Sequence, residues 1–357
     1  MILLPVWHSR GTDTSGHRRG ARHRGVRAAC PGAPRGAAAV PDARRAGDGG
    51  AVAVGVSILH AVADGHAVWQ FMRAWSTAAQ EGSFAAASLP PQTFDRSGVR
   101  HPKGDELIST FLRLFAPAMP MLSPSSASTF DTTQQSRRIF VLCAVEIQML
   151  KQHIYQQIRS LTGSEPSKPP TTYVAISSLV WTSLVRAKPT QHDAGDDAHC
   201  MVRADCRRRL RPPLGDGFFG NCVKACYARA RDGDLRGEAG GLAHAASAIQ
   251  DAIREYLEEL SDDPLSDIER CLAVHRGIPR GRLSAVGSSH RFMAYETDFG
   301  WGAPSRVELA SVFQREMVTL LGAREEGAVQ VSVALDRAVM EAFAGCFVVL
   351  SSTSRDG

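Results

Sequence analysis

Three observations point to a mixed α/β (α+β) protein. Short apolar runs rich in β-branched residues, such as AVAVGVSI (51–58) and VQVSVAL (329–335), read as strands. Other stretches repeat apolar residues at helical spacing; HAVWQFMRAWSTAAQ (66–80) places Val68, Phe71, Met72 and Trp75 on one face. The two kinds alternate without regular strand–helix–strand spacing and without a GxGxxG or GxxxxGK[ST] loop, which argues against a nucleotide-binding parallel sheet.

In chain order, residues 9–50 are rich in Gly, Arg, Ala and Pro and show neither period, so no element is expected there. AVAVGVSI is the first strand, and the helix over 66–80 follows a short polar turn. Pro and Ser punctuate residues 82–137, with a short helix at ELISTFLRLF (106–115). RRIFVLCAVEI (137–147) reads as a strand leading into the helix EIQMLKQHIYQQIRSL (146–161). After the loop GSEPSKPP, TTYVAISSLVWTSLVRA (171–187) is apolar enough for a buried helix. HCMVRADC (199–206) and CVKACYARA (222–230) are strands joined by the loop RRRLRPPLGDGFFGN. An Ala-rich helix spans 238–260, HRFMAYETDFGWG (290–302) leads into a loop, RVELASV and VQVSVAL are strands, and DRAVMEAFAGCFVVL closes the chain as a helix.

The 357 residues suffice for two domains, and a 44% hydrophobic, 22% charged composition is ordinary for a globular protein. No apolar run is long enough to cross a bilayer as a helix, and MILLPVWHSR has the wrong order for a secretory signal. Eight scattered cysteines do not form a disulfide framework, so a reducing cytoplasm is the expected compartment. His199, Cys200, Cys206, Cys222 and Cys226 lack C-x₂-C spacing, so no metal site is expected. The net charge of +5 comes from one place. Residues 1–50 hold nine arginines against three aspartates, and the rest of the chain holds 32 basic and 33 acidic groups. That segment admits three readings: a disordered tail, translation of a wrong reading frame, or an RNA-binding arm. The last lacks interleaved aromatics beyond Trp7.

Three stretches carry candidate chemistry. In HAVADG (60–65), His60 follows the first strand and can project from the strand end, where an imidazole serves as a general base. Asp64 stands four residues on and is equally well placed as the N-cap of the following helix. In DFGWG (298–302), two glycines flank a tryptophan, which suggests unusual backbone angles or close packing. FFGNC (218–222) closes a loop that begins with the cluster Arg207, Arg208, Arg209 and Arg211.

Taken in this order, HAVADG, FFGNC and DFGWG resemble the motifs of the plant BAHD family of CoA-dependent acyltransferases. The HxxxDG element is shared with the wider superfamily, DFGWG marks the plant family, and FFGNC is similar to the YFGNC signature of the branch acting on anthocyanin and phenolic glucosides. The resemblance covers about residues 51–357. It implies two chloramphenicol-acetyltransferase-like domains with a channel between them, here with the first domain incomplete: 1–50 an atypical segment, 51–165 the rest of the N-terminal domain, 166–357 the C-terminal domain. It also implies catalysis by the HxxxD pair His60 and Asp64. His60 is the mid-channel base that takes the proton of an acceptor hydroxyl as it attacks an acyl-CoA thioester. Asp64 turns away to pair with an arginine, for which Arg207 is the best match. Asp298, Phe299, Gly300, Trp301, Gly302 and Asn221 are implied as structural support.

The expected partners are an acyl-CoA co-substrate, malonyl or hydroxycinnamoyl favoured and acetyl also open, and a phenolic or flavonoid/anthocyanin glucoside. No permanent cofactor, nucleic acid or membrane is expected, and the protein is expected to be a monomer. For the CoA phosphates the sequence offers Lys168 before a helix starting near Thr171; an ordinary Pro-rich helix start fits the same residues. Family members place the motif histidine well over a hundred residues into the chain, and here it is residue 60. The strand AVAVGVSI is therefore expected to lie beside unpaired edges. The alternative to an enzyme is a truncated remnant that binds CoA or phenolics without turnover.

Overall fold

The computed structural model describes residues 2–7, 39–46, 51–58, 60–82, 90–101, 103–115, 135–166, 168–189, 195–259, 263–279, 281–309 and 317–352. Among these residues, ten strands form two sheets. The smaller runs β2-β3-β1-β8, with β1 Ile2–Trp7, β2 Ala39–Ala46, β3 Ala51–Ile58 and β8 Arg306–Leu309. The larger runs β4-β10-β9-β7-β5-β6, with β4 Gln135–Leu142, β5 Asp197–Asp205, β6 Val223–Arg231, β7 Leu283–Ser289, β9 Met317–Gly322 and β10 Val329–Asp336. β7 is parallel to both β5 and β9, and every other pairing in the two sheets is antiparallel.

The expected mixed α/β architecture is observed, with corrections. β3 has a partner on each side, β2 and β1, where unpaired edges were expected. β1 is an apolar run that composition alone hid beside the Arg-rich stretch. β2 carries Pro41 at the sheet edge, where a missing N–H costs least. The remainder of the 1–50 segment lies outside the described residues. Sheet membership also cuts across the division at residue 165: β4 pairs with β10 in the large sheet, and β8 pairs with β1 in the small one. The strand expected over 137–147 ends at Leu142, because the N–H of Cys143 is taken by the Glu146 carboxylate (2.8 Å) in a cap that starts α3, Ala144–Thr162.

Helix α4, Thr172–Ala187, is buried along nearly its whole length, as its sequence suggests, and packs on α3, α6 (Gly241–Arg254) and α8 (Arg337–Ser352) against the large sheet. Trp181, Leu184, Ile154 and Phe343 are at the centre of that core. A second core joins the small sheet to α1, Gly65–Glu81, through Val54, Val56, Val68, Met72, Phe299 and Val307. The other helices are α2 Gly104–Phe115, α5 Asp232–Arg236 and α7 Ile268–Gly277. Among the described residues no helix is long and apolar enough to cross a membrane.

Candidate active site

The His60 turn sits between β3 and α1, and the long β5–β6 connection (206–222) reaches across to hold it. Asp64 caps α1 by accepting from the Ala67 N–H (3.1 Å). Its carboxylate also accepts both terminal nitrogens of Arg207, each at 2.9 Å, and the Cys222 N–H at 2.9 Å. Each oxygen thus accepts two donors, which uses the acceptor capacity of a carboxylate. Asp64 is 2% exposed and Arg207 1%. Burial opposes the charge on Arg207, but the Asp64 hydrogen bonds and field outweigh it and raise the guanidinium pKa above its ordinary value.

Arg207 also donates to the Gly220 carbonyl (3.0 Å), and its guanidinium lies 5.6 Å from the Phe218 ring centroid. The Asp64 N–H meets the same Gly220 carbonyl at 3.3 Å, and Asn221 Nδ2 donates to the carbonyl of His60 itself (2.8 Å). The FFGNC stretch therefore grips both ends of HAVADG. Asp64, one of the HxxxD pair, turns away to pair with Arg207, as the resemblance implied. Its oxygens are fully engaged and buried, so it positions the turn and exchanges no proton with a substrate. His60 is exposed, as is Ala61 beside it, where the resemblance implied a mid-channel position. Among the described residues no side chain hydrogen-bonds its ring.

Gly65 has a steric reason: a methyl group there would lie 2.6 Å from Phe292 Cε2. In DFGWG, Asp298 Oδ1 accepts from the N–H groups of Gly300 (2.7 Å) and Gly302 (2.9 Å), whose φ values are 91° and 88°. Only glycine adopts such angles freely. Phe299 meets Trp75 of α1 edge-on at 4.8 Å and Trp301 face-on at 5.7 Å, with Trp301 half exposed. On the same helix Phe71 stacks on Trp75 and meets Phe219 of FFGNC at 6.4 Å. The three motifs, far apart in sequence, thus converge on α1.

Thr171 caps α4, its hydroxyl accepting from the Val174 N–H at 3.3 Å, and Lys168 is exposed before it. A chain of contacts leads from that helix start to the His60 turn: Tyr173 stacks on His290, and Phe292 two residues further packs on Gly65. The cysteines weighed as metal ligands are core residues. Burial pushes the Cys222 thiol up to about 11 and those of Cys206 and Cys226 up to about 12. A cleft of about 360 Å³ lined by Asp197, Arg229, Arg231, Asp234 and His244 lies at the opposite end of the β5–β6 pair from this site. Two residues absent from the sequence reading join the site, Asp205 and His66. They approach each other from β5 and α1, far apart in sequence, so no local spacing marks that contact.

The same arrangement of sheets and helices is found in vinorine synthase, with a TM-score of 0.61 over 83% of this chain and 62% of that one at 18% identity. TRI101 of F. graminearum, solved with coenzyme A and deoxynivalenol, matches with a TM-score of 0.62 over 85% and 67% at 15% identity. The fold is thus the chloramphenicol-acetyltransferase-like one. A family model, the Transferase family, matches residues 46–348, and the chain belongs to this family of BAHD acyltransferases. Relatives include the BAHD acyltransferase DCR of Arabidopsis thaliana, 30% identical over 298 residues, covering 81% of this chain and 58% of that protein. Phenolic glucoside malonyltransferase 1 of the same plant is 25% identical over 305 residues, covering 81% and 63%. The chain spans about three-fifths of the length of the curated relatives it matches.

Proposed function

We propose that this chain carries the base-bearing turn of an acyl-CoA-dependent O-acyltransferase that moves a malonyl or hydroxycinnamoyl group to a hydroxyl of a phenolic or anthocyanin glucoside. The observation that carries the reading is the division of labour in HAVADG: Asp64 is saturated by four donors, and His60 is left exposed to take a proton. In the reaction the imidazole accepts the acceptor's hydroxyl proton as its oxygen attacks the thioester carbonyl. The tetrahedral oxyanion then collapses with loss of the CoA thiolate, and the imidazolium returns the proton to that sulfur. No bond to the protein forms. A base in this role supplies about 10²–10⁴-fold in rate.

The choice of substrates is supported by relatives named as malonyltransferases of phenolic and anthocyanin glucosides and as coumaroyltransferases of anthocyanidin glucosides. The helix start at Lys168 and Thr171, joined to the turn through Tyr173, His290 and Phe292, is a candidate contact for CoA phosphate. A panel of acyl-CoAs against glucosylated phenolics, read by mass shift, tests the proposal; transfer that survives His60→Ala unchanged removes it. That no side chain among the described residues orients the His60 ring by a hydrogen bond favours a second reading, a chain that binds CoA or phenolics without turnover. That reading expects calorimetric binding, no transferred mass, and indifference to His60→Ala.

A further inference from the structure

We propose that Asp205 and His66 are positioning residues of the His60 turn, acting through Arg207. Arg207 lies between two carboxylates. Besides its bonds to Asp64, Arg207 donates to Asp205 Oδ1 from its backbone N–H (2.9 Å) and from Nη1 (3.2 Å), the same nitrogen that bonds Asp64 Oδ2. Asp205 thus shares the guanidinium with Asp64 and fixes where it sits along the turn. The other oxygen of Asp205 is 4.0 Å from Nδ1 of His66, on the first turn of α1.

The tautomer of His66 follows from its second nitrogen. Nε2 lies 2.7 Å from the Gln70 amide nitrogen, a donor, so Nε2 accepts and a neutral ring keeps its proton on Nδ1, the nitrogen 4.0 Å from the carboxylate. Gln70 in turn accepts from Gln92 (3.4 Å). The polar path Gln70–His66–Asp205–Arg207–Asp64 therefore ties the start of α1 to the end of β5, around the turn that bears His60. Asp205 is 44% exposed and His66 29%, so each exerts a modest pull. Their influence comes from acting on the one cation that holds Asp64.

The inference rests on the proposed role of the His60 turn, yet its test needs no turnover. Diethyl pyrocarbonate acylates exposed imidazoles, and mass mapping gives the rate at His60 in the intact chain. Asp205→Asn keeps an acceptor for the backbone N–H and removes the charge. It is expected to change the His60 rate about threefold, His66→Gln to change it less, and the double variant to match Asp205→Asn alone. Asp205→Glu should restore the original rate, and it keeps the test alive if Asp205→Asn does not fold. An unchanged His60 rate in Asp205→Asn, or additive effects in the double variant, overturns the assignment. A chain that transfers no acyl group but shows this coupling refutes the proposed reaction and leaves the positioning role standing.

Discussion

Arg207 meets Asp64 end-on, with two N–H···O bonds of 2.9 Å, and neither side chain is more than 2% exposed. The residues are 143 positions apart, so this pair helps fasten the turn between β3 and α1 to the loop between β5 and β6. A buried pair costs desolvation and is not in itself a large source of stability, but removing one partner strands the other. Arg207→Ala should therefore lower unfolding free energy by about 3–5 kcal/mol or abolish the cooperative transition in urea. A loss below about 1 kcal/mol would show that the pair is not buried in solution.

Asn221 makes a further contact between the same two segments, to the His60 carbonyl. Asn221→Ala deletes one hydrogen bond worth about 1 kcal/mol. Amide exchange in residues 61–64 should quicken about fivefold while β5 and β6 exchange as before. Uniform quickening across β5 and β6 would mean that Asn221 supports the whole fold instead.

The glycines separate two kinds of constraint. Gly302→Ala meets open space but a φ of 88°, a backbone cost of about 1–2 kcal/mol. Gly65→Ala has an ordinary helix-start backbone but meets the Phe292 ring. Replacing Phe292 by Ala should therefore rescue Gly65→Ala in thermal melts and leave the deficit of Gly302→Ala unchanged. Rescue of both, or of neither, contradicts the packing described.

Buried thiols impose a direction on the alkaline limb of stability. An unfolded thiol titrates at about 8.5, whereas burial pushes Cys222 up to about 11 and Cys206 and Cys226 up to about 12. Above about pH 8.5 the unfolded chain sheds protons that the folded chain keeps, so stability is full below that pH and falls as pH rises. Melting temperature should drop between about pH 8 and 9.5, before tyrosines ordinarily titrate, and less steeply in Cys226→Ala. A flat profile over that range would place these thiols in water.

How much of this was legible in the sequence depends on the range of the interactions. β3, α1, α4 and β10 carry strong local periodicity and lie where it points. β7, LSAVGSS, is a central strand of the large sheet, yet its small and polar residues carry no strand pattern; neighbours on both sides hold it there. β9, MVTLLG, is apolar but short, and α7 buries Cys271 alone, so neither stands out in the sequence. At the site, Asp64, Arg207 and the two DFGWG glycines were readable because their roles are bound to motifs. The grip of Asn221 on a backbone carbonyl, the ring of Phe292 against Gly65, and Asp205 facing His66 depend on tertiary placement that no spacing encodes.

One comparison reaches the heart of the account: acyl transfer from malonyl-CoA or coumaroyl-CoA to glucosylated phenolics, followed by mass shift, for the wild-type chain and for His60→Ala at matched folded concentration. Transfer by the wild type that falls by about 10²–10⁴-fold in the variant, with the melting temperature unchanged, is the expected result. Equal rates in the two proteins, or binding of both substrates with no transferred mass in either, would contradict it.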